Sequence, residues 1–343
     1  MNTFGRNFRC TTFGESHGTA LGVVIDGCPA GIPLCEEDIQ PVLDRRRPGQ
    51  SDLVSPRIEP DRVEILSGVF RDMTTGAPVA LMIRNYDSNP RDYRELAEVF
   101  RPGHADITWQ KKFGFRDYRG GGRSSGRETV ARVAAGAVAV KVLRQAGIVI
   151  SARILEIHGK TTAEEMEHEI RAARDSGNSV GGIVEIVAKG CPAGIGDPVF
   201  GKLDAMIAGA LMGIGAVKGV EIGEGFGAAA LYGHENNDPI TKNGFLSNHA
   251  GGILGGISTG ADIVARIAVK PTPSISREQL TINASGEPRN ISVQGRHDPC
   301  IVPRIIPVAE SMLALVILDA LLEQAKYEGF SGLFLTTDQR EQH

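Results

Sequence analysis

At 343 residues, with 41% hydrophobic and 23% charged side chains, the chain has an ordinary globular composition and enough length to bury a large core. Its net charge of −4 excludes a globally basic nucleic-acid binder. The five cysteines, Cys10, Cys28, Cys35, Cys191 and Cys300, are odd in number and form no C-x-x-C pair, so neither a disulfide framework nor a structural metal is expected. The opening MNTFGRNFRCTTFGESHG lacks the apolar core of a signal peptide, and no stretch is expected to approach a membrane span. The expectation is a cytoplasmic protein with reduced thiols. No proline- or serine-rich tract, charge block or low-complexity run divides the chain, so residues 1–343 read as one unit.

In chain order, Phe13-Gly14-Glu15-Ser16-His17-Gly18 places a serine and a histidine between glycines, in a loop where backbone can approach a ligand. The string GCPAGI then occurs twice, at Gly27–Ile32 and Gly190–Ile195, each time after an alternating apolar segment (LGVVID, GIVEIVAK). Each copy reads as strand, turn and helix, the helices being Glu36–Arg46 and Val199–Val217, which implies two related halves. Pro41 lies inside the first of these and predicts a kink or a later start. Val130–Gly147 and Pro307–Glu328 are apolar on nearly all sides and predict interior helices, the second with proline in its first turn. Glu164–Ser176 is charged on most faces and predicts a surface helix. Strands are expected at Arg62–Ser67, Val79–Ile83, Ile183–Ala188 and Ile263–Val269, without a regular β-helix-β rhythm. The fold class that follows is α+β: buried helices sandwiched by mainly antiparallel sheets.

The most informative stretch is Gly120–Ala139, GGGRSSGRETVARVAAGAVA, a glycine-rich loop running into a helix. Ser125-Gly126-Arg127-Glu128 fits a capping box, Ser125 accepting from an early backbone N–H and Glu128 reaching back to the cap. The unpaired N–H groups at that end would share an anion site with Arg123 and Arg127. From Arg101 to Arg132 there are eight Lys/Arg against three acids, and Arg45-Arg46-Arg47 with Arg57 and Arg62 forms a second basic cluster. Local positive regions on an acidic chain suit a small anionic ligand. Arg101-Pro102-Gly103-His104-Ala105-Asp106 adds a second glycine-histidine loop, whose unperturbed pKa near 6.5 suits protonation of a leaving phosphate. Asn248–Gly256, Lys270–Ser274 and Gly295–Pro299 have the residue types of loops that shape a cofactor pocket. Neither a G-x-G-x-x-G after a strand nor a P-loop is present.

FGESHG, DRRRPG, FRPGHAD, RDYRGGGRSSGRETVARVAAGA, NHAGGILGGISTG, KPTPSI and GRHDPC occur in that order, and together they closely resemble the chorismate synthase family from about Phe4 to the Pro307 helix. The resemblance implies a lyase that takes phosphate from 5-enolpyruvylshikimate 3-phosphate by 1,4-elimination, the last step of the shikimate pathway to aromatic amino acids. It implies reduced FMN without net redox change, a homotetramer, and no nucleic-acid or membrane partner. It leaves open whether the chain reduces its own flavin with NADPH. Carried over, His17 would be the phosphate-side acid, His104 the histidine near the reduced flavin, and Asp298 the acid near flavin N5. Arg46, Arg57, Arg101 and Arg127 would surround the substrate. Arg123, Ser124, Ser125, Gly215, Ala216, Gly255, Lys270, Pro271, Thr272, Pro273, Ser274 and Arg296 would hold flavin, with Arg296 near substrate as well. Two departures stand out: Asp52 where many relatives carry arginine, and Gly215 where asparagine is common. The rival readings are a flavin oxidoreductase, which would consume NADPH continuously, and a nucleic-acid module, which would bind with strong salt dependence.

Overall fold

The computed structural model describes residues 1–49, 59–86, 96–293 and 297–334, with side chains as far as Tyr327. The first half runs β1 (Thr3–Phe4), β2 (Arg9–Gly14), β3 (Ala20–Asp26), α1 (Glu36–Arg46), β4 (Val63–Ser67), a small hairpin of β5 (Val69–Phe70) and β6 (Met73–Thr74), and β7 (Val79–Arg84). It continues through α2 (Asp106–Phe113) and two 3-10 turns, Arg119–Ser124 and Gly126–Glu128, into α3 (Thr129–Gln145). The second half comprises β8 (Val149–Ile157), α4 (Ala163–Asp175), β9 (Gly182–Lys189), α5 (Leu203–Met212) and β10 (Val217–Ile222). An excursion follows: the short α6 (Gly233–Asn236), then hairpins β11 (Ile240–Thr241) with β12 (Gly244–Phe245) and β13 (Ile253–Leu254) with β14 (Ile257–Ser258). The chain returns as β15 (Ile263–Val269), forms the hairpin β16 (Gln279–Ile282) with β17 (Pro288–Ile291), and ends in α7 (Val302–Phe334).

Two antiparallel sheets enclose a helical layer, the α+β sandwich expected. The first has the order β1-β2-β3-β7-β4 and the second β10-β15-β9-β8. Alternation dictates which face each strand buries: Leu21, Val23 and Ile25 of β3 and Leu81 and Ile83 of β7 point inward onto α3. On the other side Val184 and Ile186 of β9 face α7, and Ala265 and Ile267 of β15 join them in the same buried core. Read from β2 and β8, the two sheets have the same strand order, each half with one helix between its second and third strands in sequence and a long helix after its fourth.

The repeated GCPAGI segments fold alike to the level of single hydrogen bonds. In the first, Thr74 Oγ1 donates to Pro29 O and accepts from Ile32 N, while Thr74 O accepts from Gly31 N. In the second, Ser258 Oγ donates to Pro192 O and accepts from Ile195 N, while Ser258 O accepts from Gly194 N. A hydroxyl residue on a small hairpin therefore pins each turn.

Several sequence expectations need correction. α7 begins at Val302, so Pro307 lies inside it rather than in its first turn; the missing N–H leaves the Pro303 carbonyl without its helical donor, and burial on all sides carries the helix through. That helix also overturns the expectation that no stretch approaches a membrane span: Val302–Tyr327 is 26 residues long and apolar enough to cross one. Here 83% of its most apolar window is buried inside the protein, against α3, α5 and β8. α5 is shorter than Val199–Val217, since a turn closed by Asp197 N–H onto Gly201 O precedes it and Gly213 caps it. α1 starts at Glu36 with Pro41 inside, and Asp38 supplies an N-terminal cap by accepting from Cys35 N–H. The capping box at Ser125 is half formed. Ser125 Oγ accepts from Arg127 N–H at 3.3 Å, but the Glu128 carboxylate turns instead to Arg132 and Thr12, and the α-helix proper starts at Thr129.

Charged residues pin the apolar helices to the sheets. Asp319 on α7 accepts from the backbone N–H groups of Arg6, Asn7 and Phe8, and Glu310 on the same helix pairs with Arg45 at the end of α1. The crossing of α3 and α7 depends on Gly136, where a Cβ would fall 2.2 Å from Ser311 Cβ. Gly136→Val is therefore expected to destabilise by about 1–3 kcal/mol through overpacking, read as a lower denaturant midpoint with an unchanged slope.

Candidate active site

The N-terminal ends of α3 and α7, the loop before α2 and the loop after β15 meet around a cavity of about 350 Å³, a size in the ordinary range for small-molecule sites. The α3 entry contributes Ser124, Ser125, Gly126, Arg127 and Thr129, and the loop after β15 contributes Lys270, Thr272, Pro273 and Ser274. Arg101 and His104 close one side, Asp298 and Arg304 another, Arg46 enters from the end of α1, and Gly215 and Ala216 form an edge.

The arginines are buried, and each is matched by a carboxylate. Arg46 and Arg127 are about 1% and 5% exposed and share Asp61, which is fully buried: Oδ2 lies 2.9 Å from Arg46 Nη1 and Oδ1 2.5 Å from Arg127 Nη1. Arg46 also donates to Thr129 Oγ1 and Gly126 O, and Arg127 donates to Asn85 Oδ1 while its Nη2 lies 3.6 Å from Glu59. Burial pushes the Arg46 guanidinium down to about 9, against the pull of Asp61, so it is still charged at neutral pH. Burial opposes ionisation of Asp61, but Arg46 and Arg127 outweigh it and hold the carboxyl below its usual range.

A second buried acid, Asp106, serves the opposite wall. It accepts from Arg101 Nε at 2.8 Å, lies 2.9 Å from His104 Nδ1 and 3.4 Å from Arg116 Nη1. Burial opposes its ionisation too, yet hydrogen bonds from His104 and Arg101 keep its carboxyl well below the ordinary value. His104 is pushed down by burial and by Arg101, with Asp106 pulling it up. It is therefore neutral at pH 7, with Nδ1–H directed to Asp106 and Nε2 3.1 Å from Arg101 Nη2. Across the cavity, Arg304 donates to Asp298 Oδ2 at 2.6 Å and to the backbone O of Arg46.

Gly120, Gly121 and Gly122 separate the two histidines. All three have left-handed φ, at 61°, 85° and 52°, which no ordinary side chain adopts readily. A Cβ at Gly120 would fall 2.4 Å from the His17 ring and one at Gly121 2.8 Å from His104 Cε1. His17 itself is buried behind Gly120, while its neighbour Ser16 reaches the cavity and meets Ser125 Oγ at 3.2 Å.

Most of the residues singled out in the sequence thus converge. Arg46, Arg101, His104, Ser124, Ser125, Arg127, Gly215, Ala216, Lys270, Thr272, Pro273, Ser274 and Asp298 line the cavity. Pro271, between two lining residues, is not itself part of the wall. Arg123 turns away, donating to Gly14 O, Thr12 Oγ1 and Asn2 Oδ1 on the far side of the glycine loop. Gly255 sits in the β13–β14 turn, away from this wall. Arg57, Arg296 and Asp52 lie outside the described residues. Sequence reading passed over Asp61, Glu59, Asn85 and Arg304, and treated Asp106 only as part of a loop. A buried basic cluster requires counter-charges, and that requirement is the one signal that would have directed attention to the acids. Among the described residues no group of three or more His, Cys, Asp or Glu is placed to hold a metal ion.

The family model described as "Chorismate synthase" matches residues 8–322. The chain belongs to the chorismate synthase family. Chorismate synthase of Syntrophobacter fumaroxidans is 58% identical over 347 residues, covering 95% of this chain and 99% of that protein. Chorismate synthase of Syntrophus aciditrophicus is 53% identical, covering 94% and 98%. A solved chorismate synthase crystal structure superposes with a TM-score of 0.72 at 33% identity, over 94% of this chain and 93% of that one.

Two expectations follow from the chorismate synthase site's buried charges. Asp61→Asn leaves Arg46 and Arg127 without their shared counter-charge and is expected to cost about 3–5 kcal/mol in denaturant unfolding. Asp61 and Asp106 both have depressed folded-state pKa values. Their stabilisation is therefore present above the unfolded carboxyl pKa near 3.9 and is lost as pH falls below it toward the folded values. Unfolding measured from pH 7 to pH 2 should show that acid limb, and Asp106→Asn should be less stable at pH 7 with a shallower limb.

Proposed function

We propose that this chain catalyses the 1,4-elimination of phosphate from 5-enolpyruvylshikimate 3-phosphate to give chorismate, the carbon–oxygen lyase step that closes the shikimate pathway toward aromatic amino acids. The observation that carries this reading is the convergence of Arg46, Arg101 and Arg127 on one cavity beside His104 and the His17 loop, in a chain of the chorismate synthase family. A substrate with two carboxylates and a phosphate needs several guanidinium donors held in fixed directions. Buried carboxylates fix those directions in advance, so little reorganisation is left for the moment when negative charge develops on the departing phosphate.

The reaction requires reduced FMN, and the residues present fit that group. Ser124, Ser125, Ser274 and Lys270 offer donors to the cavity, and Thr272 Oγ1 is buried with no hydrogen-bond partner among the described residues. When bound, reduced FMN supplies electron density that assists phosphate loss, with no net redox change. The chain's own residues do the rest. The arginines bind and orient the anionic substrate. His17, behind Gly120 on the turn that brings Ser16 to the cavity, is assigned the proton for the leaving phosphate. His104 is assigned the proton given on the cofactor side of the cavity, its ring held by Asp106 and Arg101. Asp298, held by Arg304, is the acid assigned to the substrate hydrogen. The apolar segments flanking the cavity at Ile301, Ile305 and Val308 exclude water.

We place the enzyme in the cytoplasm as a homotetramer, its two topologically similar halves forming one unit. Phe200, Phe226, Ile240 and Leu246, all largely exposed in the single chain between β9 and β15, supply apolar surface for subunit contacts.

The test is an anaerobic assay of purified protein with chemically reduced FMN and 5-enolpyruvylshikimate 3-phosphate, following chorismate absorbance and phosphate together. Stoichiometric chorismate and phosphate without net flavin oxidation are expected; sustained NADPH consumption without phosphate release would instead indicate a flavin oxidoreductase. His17→Ala is expected to slow turnover by roughly 10²-fold or more with flavin affinity nearly unchanged, and unchanged turnover would remove His17 from the chemistry.

A further inference from the structure

Asn85 is the first residue after β7, at the edge of the cavity network and outside the residues so far assigned a role. Its side-chain amide is saturated by two different parts of the site. Oδ1 accepts from Arg127 Nε at 2.7 Å, while Nδ2 donates to Gly18 O at 2.7 Å and to Glu15 O at 3.2 Å. Its backbone N–H also donates to Thr19 O at 3.1 Å. The Glu15–Gly18 turn, closed by Gly18 N–H onto Glu15 O, is the turn that carries Ser16 and His17. One amide therefore touches both the histidine turn and the guanidinium, and its orientation is fixed because two carbonyls require N–H donors and a guanidinium requires an acceptor.

We propose that Asn85 is a positioning residue that couples the His17 turn to Arg127, setting the distance between the proton donor and the anion-binding guanidinium. Arg127 is held on its other edge by Asp61 and, more distantly, Glu59, and among the described residues Asn85 is the acceptor for its Nε. The His17 turn is anchored at its base by the two carbonyl contacts. Losing either half of the amide leaves the groups present but free to move relative to one another, and displacements near 1 Å are costly in a site of this kind. At the corresponding position of the second half, Lys270 is the first residue after β15, the strand equivalent to β7, and it lines the cavity directly, whereas Asn85 acts from behind the wall through Arg127.

This inference rests on the elimination proposed above, and the experiment separates the two. The full-length enzyme, Asn85→Asp and Asn85→Ala are compared in the anaerobic assay, together with His17→Ala and the double variant Asn85→Ala/His17→Ala. Asn85→Asp keeps an acceptor for Arg127 but loses the donors to the turn, so kcat is expected to fall by roughly 10-fold or more with KM within about threefold. Asn85→Ala loses both sides and should lower kcat and raise KM. Reduced-FMN affinity, measured separately by titration, should stay within about twofold in both variants because the amide contacts no residue assigned to flavin. In the double variant the kcat losses should be less than multiplicative, since the part of the Asn85 effect that runs through the His17 turn is already lost in His17→Ala. An active parent enzyme whose folded Asn85→Asp and Asn85→Ala variants retain kcat and KM would overturn the proposal, as would losses that multiply fully in the double variant. If Asn85→Ala fails to fold, the isosteric Asn85→Asp decides the matter by its kcat against KM. An inactive parent enzyme would instead strike at the elimination itself.

Discussion

An arginine taken out of water is stabilised only if a counter-charge goes with it and its N–H groups find acceptors. Asp61 meets that condition for Arg46 and Arg127 at once, and the surrounding architecture follows from placing it there. Thr129 and the Gly126 carbonyl at the entry of α3, Asn85 at the end of β7 and Gln40 on α1 all supply hydrogen bonds to this network. Each comes from a different element of the first half. The network is therefore also a joint, through which the first sheet, α1 and α3 are locked at one end of the helical layer.

The second half contributes differently. Its sheet supports α7 and α5, and the loop leaving β15 brings Lys270, Thr272 and Ser274 to the same cavity. The site thus lies where corresponding ends of two similar substructures meet. The first half supplies a strongly cationic wall with buried acids behind it, and the second supplies hydroxyls, Lys270 and the Asp298–Arg304 pair. Matching hydrogen bonds around Thr74 and Ser258 hold the repeated turn of each half in the same way.

Elements with strong periodicity were legible in the sequence. β3, β7, β9 and β15 announced themselves by alternating apolar residues and α4 by helical patterning, while α3, apolar on nearly all sides, was bounded by the cap signal at Ser125 and by Gly147. The ends of α5 and α7 were not legible, because apolar content on every side of a helix gives no phase from which to read a boundary. Motif order revealed most of the cavity wall, but neighbours in sequence need not share a direction: Ser124 faces the cavity and Arg123 does not. The acids were hidden for a further reason. Asp61 belongs to no motif, and its importance depends on the burial of arginines 15 and 66 residues away, which no local pattern encodes.

The Gly120–Gly122 run separates His17 from His104 with backbone alone. A side chain added at Gly120 would have to displace the His17 ring and one at Gly121 the His104 ring, while one at Gly122 would press on Asp117. The loop acts as a spacer whose gauge is the absence of a carbon atom, and the enzyme has no means of adjusting that gauge by ordinary substitution at those positions.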